Sequence, residues 1–157
     1  MDRRLRRALR PQISRSYFVL AAPTTGYSGT PLVKKLGIKE GCRLLAMGVP
    51  QNYLELLDPL PRDVQIVRRV GKGIDVAHVF VTRKSELIRH AKALRQALTA
   101  DAALWMSWPK KVSKVATDVS EDVIREVALP LGWVDVKVCA IDATWSGLKL
   151  VVRKELR

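Results

Sequence analysis

The sequence predicts an α/β domain built on a mostly parallel sheet, with helices on both faces and an antiparallel hairpin at its C-terminal end. Three observations carry this. Short apolar runs bounded by turn residues recur at 43–48, 64–68, 75–81 and 102–108, the pattern of buried parallel strands. Amphipathic helical segments fall at 84–98 and 119–131. Two long strand-like runs, 133–140 and 145–153, are separated only by Ile141-Asp142-Ala143-Thr144, a link short enough to require an antiparallel return.

Each element has a local cause. Thr30 as N-cap and Pro31 at the first helical position start a helix whose stripe is Leu32, Val33 and Leu36, and Gly37 can end it. Gly41 turns the chain into the first strand. Tyr53, Leu54, Leu56 and Leu57 predict a short helix, closed by Asp58-Pro59-Leu60-Pro61. The second strand is broken by Gly71-Lys72-Gly73. Residues 69–74 are too few for a comfortable parallel crossover into the third strand. Either those two strands pair antiparallel or an extended loop runs straight back, and the sequence leaves both open. In the helix at 84–98, Leu87, Ala91, Leu94 and Leu98 share one face with Ile88 beside them, while Arg89, Lys92, Arg95 and Gln96 face outward. Pro109 ends the fourth strand. Asp118 and Glu121 read as a capping box for the helix at 119–131, and Gly132 as its stop.

A length of 157 residues favours one domain, and 48 % hydrophobic with 27 % charged residues suffices for a core. The apolar run at 17–22 is too short for a membrane span, which needs roughly 18 residues, or for a secretory signal core. These features predict a soluble intracellular protein with no membrane contact. Cys42 and Cys139 read as reduced near-core thiols, with neither metal spacing nor a disulfide framework.

The net charge is +13, and residues 1–25 supply +5 of it through six arginines against Asp2, leaving +8 for residues 26–157. Residues 1–25 read as a basic, disordered extension: a nucleic-acid arm, a transit-like segment or an upstream-start extension. Residues 26–157 read as the single domain. Its basic surface suits nucleic acid, acidic membranes and anionic metabolites, and equally suits plain solvation.

The order of elements over about residues 38–154 resembles a reduced Rossmann-like fold, that of class I S-adenosylmethionine-dependent methyltransferases with elements missing. The resemblance implies a ligand site and, in an intact relative, an adenosine cofactor. Two departures point the other way. The first strand–helix turn, Met47-Gly48-Val49-Pro50-Gln51-Asn52-Tyr53, has one glycine where backbone must approach a ligand. The second strand ends Val67-Arg68-Arg69, where an acid would hold a ribose. Neither a cofactor nor a catalytic residue is therefore expected. The stretches Trp105-Met-Ser-Trp-Pro-Lys-Lys111 and Arg125–Lys149, with the opening at 26–32, also resemble an uncharacterised bacterial domain family of unknown function. That resemblance implies a bacterial, cytoplasmic protein and no particular activity.

In open α/β sheets, ligands sit beyond the carboxyl ends of the strands. Three stretches should meet there: residues 48–52, Trp108-Pro109-Lys110-Lys111, and the hairpin bend at 142–147. The candidate ligand-binding residues are Gly48, Trp108, Lys110, Lys111, Asp142, Trp145 and Ser146. Paired lysines can clamp a phosphate or carboxylate, and Trp108 or Trp145 can stack a ring. The plainer reading puts the tryptophans in the core and the lysines in water. Arg83 and Lys84 add charge nearby. His78, among apolar neighbours, reads as a satisfied core histidine, and His90 as surface or boundary. Asp142 could partner a lysine base, but nothing in the sequence places them together. No metal-ligand spacing, nucleophile elbow or phosphate loop is present. Three functions remain: a non-catalytic domain taking an anionic ligand (nucleotide, phosphorylated metabolite or RNA), a divergent methyltransferase, and a protein-interaction module.

Overall fold

Glycine and proline set the first boundaries. A computed structural model describes residues 29–157; the expectations for residues 1–25 and for a domain start at Gly26 lie outside the described residues. Helix α1 (Leu32–Leu36) stops at Gly37, whose φ of 78° is the left-handed conformation that side chains disfavour. Its N-cap position is Pro31, one residue later than the expected Thr30. Strand β1 (Arg43–Met47), helix α2 (Tyr53–Leu57) and strand β2 (Gln65–Val67) follow. Then come β3 (Val76–Phe80), α3 (Lys84–Ala97), β4 (Ala103–Pro109), α4 (Glu121–Ala128), β5 (Trp133–Ala140) and β6 (Trp145–Val152).

The sheet order is β2-β1-β3-β4-β6-β5. β1 is parallel to β2 and β3, and β3 is parallel to β4. β6 is antiparallel to both β4 and β5, so it alone runs backwards. The question left open at residues 69–74 has a topological answer. β2 pairs with β1 rather than with β3, and an extended loop carries the chain to the far side of β1. Asp75 fastens the loop: its N–H donates to the Arg43 carbonyl at 2.9 Å, and its carboxylate accepts from the Arg43 N–H at 2.9 Å. Strand order reverses between β1 and β3, which makes the ends of these two strands the switch point of the sheet.

Both faces are covered, and β3 is buried at all five positions. On one face Leu45, Val79, Met106 and Leu148 pack against α3 and α4 through Leu87, Leu94 and Ile124. On the other, Leu44, Val76, Phe80 and Trp105 pack against α1 and α2 through Leu36, Tyr53 and Leu57. The buried indoles keep their hydrogen bonds: Trp105 Nε1 donates to Leu36 O at 3.0 Å and Trp133 Nε1 to Ala91 O at 3.1 Å.

The cap of α4 differs from expectation. Ser120 is the N-cap, its Oγ accepting from Val123 N at 3.2 Å, and Glu121 and Asp122 lie in the first turn. Asp118 belongs to α3 instead, accepting from Lys84 N at 2.7 Å. Past Ala128 the helix tightens into a single 3-10 turn, Leu129–Leu131, because Pro130 lacks an N–H; Gly132 then ends it at φ 103°.

Candidate functional site at the carboxyl ends of the strands

Parallel β1, β3 and β4 end on one edge, and reversed β6 begins there. The Val81 N–H donates to Ser107 O at 2.9 Å and the Lys110 N–H to Thr144 O at 2.7 Å, binding the ends of β3, β4 and the hairpin into one rim. The fourth-strand lysines and the hairpin bend are thus brought together, as their order along the chain suggested.

The tryptophans are not. Trp108 is buried among the residues facing α3 and α4. Trp145 is half-buried on the opposite face, edge-on to Phe80 with ring centroids 4.9 Å apart. Strand alternation explains this: Trp108 is in register with Ser146, and Trp145 with Pro109. Trp108 is thus a core residue on one face of the sheet, and Trp145 lies on the other. Asp142 is also committed elsewhere. Its Oδ1 accepts from the N–H groups of Thr144 and Trp145, both at 2.8 Å, so the carboxylate holds the hairpin turn.

Gly48 has φ 68° and is exposed. A Cβ there would stand 2.6 Å from Phe80 O. The glycine is required by the close approach of the β1 and β3 ends, whatever else it does. Val49 then packs into the core, and Tyr53, at the start of α2, turns inward.

Tyr53 reaches a polar chain that sequence reading missed. Its hydroxyl lies 2.9 Å from His78 Nδ1, and His78 Nε2 lies 2.7 Å from Ser107 Oγ. All three residues are buried, and His78 stacks on Phe80 at 4.3 Å. Burial holds the imidazole at about 3, neutral, and raises the Tyr53 phenol. Each ring nitrogen has a partner, so His78 is the satisfied core histidine its neighbours implied. Burial also pushes the thiols of Cys42 and Cys139 upward, away from the nucleophilic thiolate.

The basic part of the rim is built locally. After Pro109 the chain makes a 3-10 turn, Lys111–Ser113, held by Ser113 Oγ donating to Lys110 O at 2.7 Å, and Lys114 closes it at φ 62°. Thr117 then ties the segment to the end of β3, its hydroxyl donating to Thr82 O at 2.7 Å. Lys111 and Lys114 are exposed and Lys110 is half-buried. None of the three has an ion-pair partner within 4.0 Å among the described residues. Lys114 was not a sequence candidate, although Lys-Lys-Val-Ser-Lys puts it within one turn of the other two. Of the two charges after β3, Lys84 turns toward Glu126 at 3.8 Å and Arg83 stays exposed.

The amides leading into α3 have acceptors of their own. Glu86 Oε1 accepts from Thr82 N at 3.1 Å and Arg83 N at 3.3 Å, and Asp118 takes Lys84 N. Among the described residues no cluster of His, Cys, Asp or Glu is placed to hold a metal ion, and no helix is long and apolar enough to cross a membrane.

No protein-family model matches the sequence, and no curated protein sequence matches it. Solved structures do. A putative type 11 methyltransferase from Sulfolobus solfataricus is similar at TM-score 0.57 and 10 % identity, over 78 % of this chain and 90 % of that one. A SAM-dependent methyltransferase from Aquifex aeolicus is similar at 0.53 and 16 % identity, over 77 % and 87 %. The B. subtilis M1A22 tRNA methyltransferase TrmK is similar at 0.53 and 12 % identity, over 78 % and 65 %. At these identities the likeness defines the fold: a Rossmann-like sheet of the class I methyltransferase type.

The residues do not supply the donor set of an adenosine site. The first turn has a single glycine committed to packing, and Pro50 carries no N–H. α2 is five residues long and anchored by Tyr53 in the core. β2 runs out into exposed Arg68 and Arg69 in place of a ribose-binding acid.

Proposed function

We propose that this chain is a non-catalytic methyltransferase-like domain that holds the phosphate of an anionic ligand at the carboxyl ends of its strands. Lys110 and Lys111 supply the charge, and Lys114 and Arg83 widen the cationic field. One observation carries the reading: three lysines gathered on one anchored turn at the ligand-binding edge of the sheet, without acidic partners among the described residues. A nucleotide, a phosphorylated metabolite and RNA share the required group.

A thermal-shift screen of nucleotides, sugar phosphates and short RNA oligomers tests this and separates the sources. The native protein rises in melting temperature with at least one class, and the rise shrinks with added salt. The Lys110→Ala/Lys111→Ala double variant loses it. A native protein that answers none of them, or a double variant that answers equally well, contradicts the proposal.

The second reading, a divergent S-adenosylmethionine-dependent methyltransferase, is favoured by the fold likeness. It places a cofactor over the end of β1, where the first reading places none.

A further inference from the structure

A groove lies at the opposite edge of the sheet, where the chain enters β1 and β2. It is formed between the end of α1 and the segment that leaves α2, and it encloses about 640 Å³. Small-molecule sites span roughly 300–1,000 Å³ and are mostly apolar with a few placed polar groups. Buried Val33 and Ile38 line its interior. Pro59, Leu60 and Pro61 line the other side, with Leu60 39 % exposed. Three prolines, Pro31 included, lock their own φ angles, so ordering these walls around a ligand costs little entropy. Among the described residues, the charged ones that line the groove are Lys34 and Lys39, both exposed. Neither has an ion-pair partner within 4.0 Å among the described residues.

We propose that this groove binds a small amphiphilic carboxylate, its aliphatic body on Ile38 and Leu60 and its charge at Lys34 and Lys39. Charge complementarity selects that occupant: an apolar trough whose charged groups are both cationic favours an anionic head over a neutral or cationic one. It also argues against the chain's own first 25 residues, whose six arginines against one acid match the sign of the groove. The site is independent of the lysines at the carboxyl ends.

The test is NMR titration of the full-length, 15N-labelled protein with sodium octanoate and, separately, with 1-octanol. Octanoate shifts the amides of Val33, Lys34, Ile38 and Leu60 saturably, and binds about tenfold or more tightly than octanol, the worth of one well-placed charge interaction. The exposed-site variant Lys34→Glu/Lys39→Glu keeps the native spectrum and loses that advantage, and Leu60→Asp weakens both ligands. Unmoved groove amides overturn the proposal. So does equal affinity for the two probes, or indifference to charge reversal. Groove shifts that follow protein concentration without octanoate assign the groove to a second copy. Contacts from residues 1–25 to Val33 or Leu60 in the free protein assign it to the chain itself. Either result also overturns the proposal.

Discussion

His78 is the residue that most tightly joins sequence to structure here. It stands inside a five-residue strand that is buried throughout, and its two nitrogens are taken by Tyr53 and Ser107. A buried polar group without partners costs about 1–3 kcal/mol, so the network fixes how α2 and β4 sit against β3. The folded imidazole, at about 3, lies below its ordinary value of 6.5. Between those values the unfolded chain takes up a proton that the folded chain refuses. The contribution of His78 is therefore complete above about pH 6.5 and is lost as pH falls toward 3, at up to about 1.4 kcal/mol per pH unit. The direct check is the ring resonances of His78 in the folded protein: they stay constant from pH 8 to pH 4, whereas an inflection near 6.5 would mean an accessible ring. Gly48 gives a second prediction at this scale. Gly48→Ala places a side chain in a left-handed conformation, about 1–2 kcal/mol unfavourable, and adds a contact at 2.6 Å with the Phe80 carbonyl. Urea denaturation should show a loss of at least that size. Unchanged stability would return the glycine to a ligand-binding role.

At the scale of elements, the ends of α3 and α4 show how one short loop serves two helices. Asp118 caps α3 from across the loop, while Ser120, two residues on, caps α4. Asp118→Ala therefore destabilises the packing of α3 on β3 by about 1 kcal/mol, the usual worth of a helix cap. A shift in urea midpoint with unchanged slope reads it out; no shift would mean water serves Lys84 N equally well. This exchange of caps also marks where sequence reading stops. Asp118 and Glu121 have the spacing of a capping box, and spacing cannot reveal that Asp118 faces a helix whose start lies 34 residues earlier. β5 and β6 were legible because a four-residue link leaves one geometry open. The link from β2 to β3 was not, because nothing local says that β1 lies between them. The same limit governs the tryptophans. Period-2 alternation puts Trp108 and Trp105 on opposite faces, but the placement of Trp145 depends on cross-strand register, which single-strand patterns do not contain.

For the whole molecule, the sheet has the order of the class I methyltransferase-like fold, with one glycine in its first turn and three lysines just past the end of β4. The fold was readable because strand–helix alternation followed by a hairpin admits few topologies. The candidate site was readable in part. Lys110, Lys111 and the hairpin bend converge as expected; Trp108 and Asp142 prove to be core and turn residues, and Lys114 joins the lysines unannounced. We propose that this edge of the sheet holds no adenosine cofactor. Isothermal titration calorimetry of the native protein with S-adenosylmethionine and with its demethylated product measures that claim most directly. No saturable heat is expected from either compound at millimolar concentration. Saturable one-site binding of either, abolished by substitution in the turn at residues 48–52, would contradict it.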